Sequence, residues 1–65
     1  MKSYSSREVI QILKQGGWYY LNCEGDHHHF KHPTKMGKVT VTHPQKDIPI
    51  RTLKSIEKQA GIKFK

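Results

Sequence analysis

The sequence predicts an α+β fold in the order α-β-β-β-α, a three-stranded antiparallel sheet with two helices on one face. Three observations carry this. A capping box opens a helical stripe near the N-terminus, and a second apolar stripe follows a proline near the C-terminus. Between them lie three short segments of strand character, separated by Gly- and Pro-containing turns. The chain has 65 residues, enough for one domain spanning residues 1–65. A domain of that size buries only about 60% of the surface its unfolded chain exposes, so the core is expected to be thin.

Residues 1–4 read as a frayed arm. Ser5-Ser6-Arg7-Glu8 is a capping box, in which the Ser5 hydroxyl and the Glu8 carboxylate each satisfy a first-turn N–H. Val9, Ile12, Leu13 and Gly16 fall on one helical face with Ile10 beside it, and Gly16-Gly17 ends the helix after about Gln15. Residues 18–23, Trp-Tyr-Tyr-Leu-Asn-Cys, are aromatic and free of Pro and Gly, which predicts a strand. Its alternation leaves the buried face open: Trp18 and Tyr20 share one side, while Tyr19, Leu21 and Cys23 share the other. The size of Trp18 favours the first side as inward.

Glu24-Gly25-Asp26 reads as a tight reversal into a second strand over residues 27–32. Phe30 is its only large apolar residue and must face the core. His28 and His32 then share that face, while His27, His29 and Lys31 point the other way. Residues 33–37 form a loop. Lys38-Val39-Thr40-Val41-Thr42 alternates cleanly, with the valines inward, and His43-Pro44 ends it. Pro49 suits the start of a second helix whose stripe is Ile50, Leu53, Ile56 and Ala60, with Gly61 closing it. Residues 63–65 form a basic tail. The face turned away from the helices carries His27, His29, Lys31, Thr40 and Thr42.

Apolar residues make up 34% of the chain and charged ones 26%, a balance compatible with a folded domain rather than a disordered one. Twelve Lys and Arg against five Asp and Glu give a net charge of +7. On so small a body this points to a polyanion, nucleic acid first and an acidic protein or membrane surface second. The single cysteine, Cys23, excludes an internal disulfide and fits a reducing compartment. No signal peptide or spanning apolar run is present, so the expected location is the cytoplasm, with no membrane partner.

Four of the five histidines lie within residues 25–33. Histidine exchanges protons near neutrality because its unperturbed pKa is about 6.5. Taken alone, His27 reads either as a solvated strand residue or as an acid–base group. His28 and His32, on the side of Phe30, read as hydrogen-bonded residues at the core rim, and His43 reads as structural. His27 and His29 at i, i+2 can grip one metal ion. No Cys/His set has the spacing of a structural zinc site, so neither a metal nor another cofactor is expected. Lys31, Lys38 and Lys46 flank the histidine strand and are the candidate phosphate contacts, with His29 as a further RNA contact. Trp18, Tyr19 and Tyr20 read as structural residues before base-stacking ones.

Trp18 after Gly16-Gly17, the run Gly25-x-His27-His28-x-Phe30-Lys31-His32-Pro33, and Val39-Thr40-Val41-x-His43-Pro44 together resemble the HicA (YcfA-like) toxin family. The likeness continues through Asp47 and residues 52–56 to Lys58-Gln59-Ala60-Gly61 and covers about residues 5–62. It implies a fold similar to double-stranded-RNA-binding domains and a toxin of a toxin–antitoxin pair. It also implies cleavage of mRNA without a metal and inhibition by a HicB-type antitoxin. The family's catalytic histidine follows a Gly-Ser or Gly-Thr pair, and the matching position here is His27. Asp26 stands where Ser or Thr is usual, placing a negative charge where a phosphate would arrive.

Three functions are therefore weighed. One is an endoribonuclease toxin acting through His27. The second is a non-catalytic RNA-binding module of the same fold. The third is a basic subunit whose business is protein interaction.

Overall fold

Why the chain turns where it does is already visible at its first helix. In the computed structural model, which describes residues 3–64, the Ser5 hydroxyl accepts the Glu8 N–H at 3.2 Å and the Glu8 carboxylate accepts the Ser5 N–H at 3.0 Å. This capping box opens helix α1 (Ser6–Gln15), which buries Ser6, Val9 and Leu13. Strands β1 (Tyr19–Glu24), β2 (His27–Lys31) and β3 (Lys38–Thr42) follow, and helix α2 (Ile50–Ala60) completes the α-β-β-β-α order. The sheet is antiparallel throughout, in the order β1-β2-β3. Both helices bury their stripes, with Phe30, Val39 and Val41 of the sheet, in one core.

Register decides what each face carries. His27 pairs with Thr42, His29 with Thr40, Phe30 with Val39 and Lys31 with Lys38. Phe30 and both valines are almost completely buried, and Trp18 joins them at 2% exposure. The expected inward faces of β2, β3 and Trp18 are thus the observed ones.

β1 departs from simple alternation. Tyr20 pairs with Phe30 and Asn22 with His29, so Leu21 is an extra residue, a β-bulge. One inserted residue reverses the parity of everything after it. Cys23 consequently sits opposite His28 on the side of Tyr20, not with Tyr19 as alternation predicts. Its side chain hydrogen-bonds the Tyr20 hydroxyl and pushes that phenol above its ordinary value, with burial adding in the same direction.

Three more expectations are corrected. Tyr4, expected in a frayed arm, is buried, and its ring centroid lies 5.0 Å from that of Phe64, itself buried in the expected basic tail. The Tyr4 carbonyl accepts the Ile48 N–H at 2.9 Å, and the Glu57 carboxylate accepts the Phe64 N–H at 2.6 Å, so both ends are tied to the body. Residues 1, 2 and 65 of those segments lie outside the described residues. Ile50 is 52% exposed, because Ile48, just before the helix, fills the core at that level. Tyr19, expected to be structural, is about half exposed along the edge of the sheet, whereas the equally exposed Tyr20 does pack its ring edge-on against the buried Phe30 at 5.8 Å.

No helix among the described residues is long and apolar enough to cross a membrane.

Candidate functional site

The turn between β1 and β2 is two residues long, Gly25-Asp26, with Glu24 and His27 paired across it. Gly25 adopts φ +61°, a left-handed conformation that glycine takes without steric cost. This turn presents His27 as the first residue of β2. Its side chain is 59% exposed, and the nearest carboxylate, Asp26, is 3.8 Å from Nε2, too far for a hydrogen bond.

The other four histidines are held by the protein. His28 is wedged between the rings of Tyr20 and His43, at centroid distances of 5.8 and 5.4 Å. His32 Nδ1 accepts the N–H groups of Thr34 and Lys35, both at 3.1 Å. Its Nε2 therefore carries the proton and donates to the Gly16 carbonyl at 3.1 Å, tying the end of β2 to the end of α1. Gly17 makes room for this contact: a Cβ there would stand 2.9 Å from His32 Nε2. His43 Nδ1 lies 2.6 Å from the Ser6 hydroxyl.

His29 differs from the exposed strand residue that its parity predicts. It is on the open face, yet only 7% exposed. Its Nε2 donates to the Glu24 carboxylate at 3.2 Å, and its Nδ1 is 2.9 Å from Thr40 Oγ1. Both ring nitrogens are taken by neighbouring strands, so His29 offers no spare donor to a ligand. Its visible effect is to turn the carboxylate of Glu24, the register partner of His27, toward the middle of the sheet.

The structure separates the three lysines of the expected phosphate surface. Lys31 and Lys38 are paired across β2 and β3, with Tyr19 opposite Lys31 on β1. That trio forms a basic, aromatic patch about 13 Å from His27, four residues along the strand at roughly 3.3 Å each. Lys46 lies at the opposite end of the sheet, lining a surface cavity next to the start of α1. Sequence reasoning set Tyr19 aside. Its placement in the same register row as Lys31 follows from strand pairing, which no local pattern discloses.

The open face thus has an exposed imidazole at one end and paired cations with an exposed phenol ring at the other. Such a surface suits an extended anionic chain better than a small molecule. Among the described residues, no three His, Cys, Asp or Glu side chains come together as a metal-binding group.

No curated protein matches the chain significantly. The family model described as HicA toxin of bacterial toxin-antitoxin matches residues 6–62, from the first helical residue to just past α2. That span includes the whole sheet, the Gly25-Asp26 turn and every histidine, and the chain belongs to the HicA toxin family.

Proposed function

We propose that this toxin is an endoribonuclease that cleaves mRNA through His27, with Lys31, Lys38 and Lys46 holding the RNA backbone. The observation carrying the proposal is that, among the described residues, His27 alone of the five histidines is largely exposed and free of hydrogen bonds and ring contacts. It stands at the edge of the face that carries the Lys31–Lys38 pair, on a chain of net charge +7.

RNA carries its own nucleophile, the 2′-hydroxyl, so the chemistry needs no covalent enzyme group and no metal. Neutral His27 takes the 2′-OH proton as O2′ attacks the adjacent phosphorus. The P–O5′ bond breaks, leaving a 2′,3′-cyclic phosphate on one product. The departing 5′-oxygen takes a proton from solvent, and the imidazolium later returns its own. The positive field of the chain, with its net charge of +7, offsets part of the charge that builds on the phosphorane. His29 acts as a positioning residue, drawing the Glu24 carboxylate away from the incoming phosphate.

As a toxin of a toxin–antitoxin pair, the chain has an antitoxin partner. We assign that role to a HicB-type protein that covers the open face and its histidine.

The deciding experiment is incubation of purified toxin with a defined mRNA in EDTA, beside His27→Ala. The wild type should cut and the variant should bind without cutting. Equal cleavage by both, or equal toxicity on expression, would remove His27 from the mechanism. RNA binding without cleavage by either protein would favour the binding-module reading.

A further inference from the structure

A surface cavity of about 670 Å³ lies between the start of α1 and the residues that follow β3. Arg7, His43 and Lys46 line it, together with Ser6 and the neighbouring backbone. None of its lining residues is acidic. Glu8, next in the chain to Arg7, is engaged in the capping box, and Asp47, next to Lys46, does not line the cavity. Neither Arg7 nor Lys46 has an ion-pair partner among the described residues.

The His43 ring is anchored by its neighbours. Ser6 is 1% exposed, and its hydroxyl oxygen accepts the Gln45 N–H at 2.9 Å. The same oxygen lies 2.6 Å from His43 Nδ1, so the serine holds that ring nitrogen whichever of the two carries the proton. Nε2, the other ring nitrogen, has no hydrogen-bond partner among the described residues and is the one left for a ligand. The charged groups of the cavity are both donors, a guanidinium and an ammonium, and the imidazole adds a third when Nε2 carries a proton. The helix terminus adds little, since the Ser6 N–H is spent on the Gln45 carbonyl and the Glu8 N–H on Ser5.

Position supplies the rest. The His43 N–H donates to the Asp26 carbonyl at 2.8 Å, which extends the β2–β3 ladder one residue past His27 and Thr42. The wall of the cavity is thus hydrogen-bonded to the residue directly before His27. Parity turns His43 to the helical side of the sheet and His27 to the open side.

We infer that this cavity is a second phosphodiester-binding subsite, which takes a phosphate of the RNA strand next to the one cleaved at His27. The inference rests on the ribonuclease reading for its substrate, but not on His27 being the base. A strand lying on the open face rounds the end of the sheet at Gly25-Asp26, and Arg7, Lys46 and His43 receive it there. Arginine suits the role because its fork of N–H groups matches two phosphate oxygens at once.

The test uses the intact chain with two probes, inorganic phosphate and a short single-stranded 2′-deoxy oligonucleotide, which cannot be cleaved through a 2′-OH. NMR should show the His43 ring and the Arg7 guanidinium shifting with the oligonucleotide, and more weakly with phosphate. Arg7→Gln and Lys46→Gln should each weaken oligonucleotide binding several-fold and flatten its log-affinity against log-salt plot by up to about one unit. Lys63→Gln, which does not line the cavity, should change neither. Unmoved His43 and Arg7 signals, or wild-type binding by both glutamine variants, would overturn the subsite. So would shifts produced by an acidic peptide but by neither probe, which would mark a protein-binding surface instead. Because both probes bypass catalysis, a subsite that binds while His27→Ala still cleaves RNA refutes the catalytic assignment alone. The converse pattern refutes the subsite alone.

Discussion

The imidazole of His29 bridges all three strands of the sheet, with Nε2 3.2 Å from the Glu24 carboxylate and Nδ1 2.9 Å from the Thr40 hydroxyl. Glu24 is 83% exposed on its side chain, so the ion pair itself contributes little to stability. The buried ring and its bond to Thr40 contribute more. His29→Ala is expected to lower stability by about 1–3 kcal/mol. His29→Gln, which keeps a donor and an acceptor, should lose less. Urea unfolding reads both. The positioning role has its own readout: His29→Ala should weaken RNA binding although no exposed cation is removed, and Glu24→Gln in the same chain should restore it.

Tyr4 and Phe64 close the core where the sequence reads as two loose ends. Tyr4→Ala is expected to cost about 2–4 kcal/mol, comparable with the 2–5 kcal/mol typical of a central anchor such as Leu53→Ala. A small domain has little more than that to lose. Thermal unfolding of the two variants makes the comparison. A Tyr4→Ala midpoint equal to wild type would show the terminal packing to be inconsequential.

RNA binding should weaken steeply with salt, because a chain of net charge +7 holds a polyanion mainly by releasing counterions. Lys31→Gln and Lys38→Gln should each flatten the log-affinity plot by up to about one unit. The two lysines are register partners, so the double variant should lose less than the sum if they share one phosphate. Filter binding across a salt series distinguishes one shared contact from two.

A HicB-type antitoxin that blocks the open face should exclude RNA from it. With His27→Ala toxin, RNA and antitoxin are expected to compete, over an interface of roughly 1,200–2,000 Å². Electrophoretic mobility shifts with all three components test this. A stable ternary complex with RNA on the open face would show inhibition from the helical side.

Much of this was readable from the chain. The capping box, the parity around Phe30 and the Val39–Val41 alternation are local signals, and local geometry obeys them. What escaped reading depends on partners distant in sequence. Nothing near Tyr4 announces Phe64, sixty residues on. The Leu21 bulge exists only in the pairing of β1 with β2, and it alone decides the side on which Cys23 lies. His29 has the parity expected of it, but its burial is made by Glu24 and Thr40 from the strands on either side. At the site, the exposed position of His27 follows from its place after a two-residue turn. The separation of Lys46 from Lys31 and Lys38 needs the full topology.

The Leu21 bulge also bears on what this protein does at high concentration. β1 lies at the border of the sheet, with Tyr19, Tyr20 and Leu21 between 44% and 49% exposed. A flat border strand of that composition is a template on which further copies stack into fibrils. An inserted residue breaks the even spacing of amides and carbonyls and twists the strand locally, so a second copy can match only part of its length. Deleting Leu21 would straighten the border and restore the spacing. Growth of thioflavin-positive aggregates, absent from the parent chain, is the expected result.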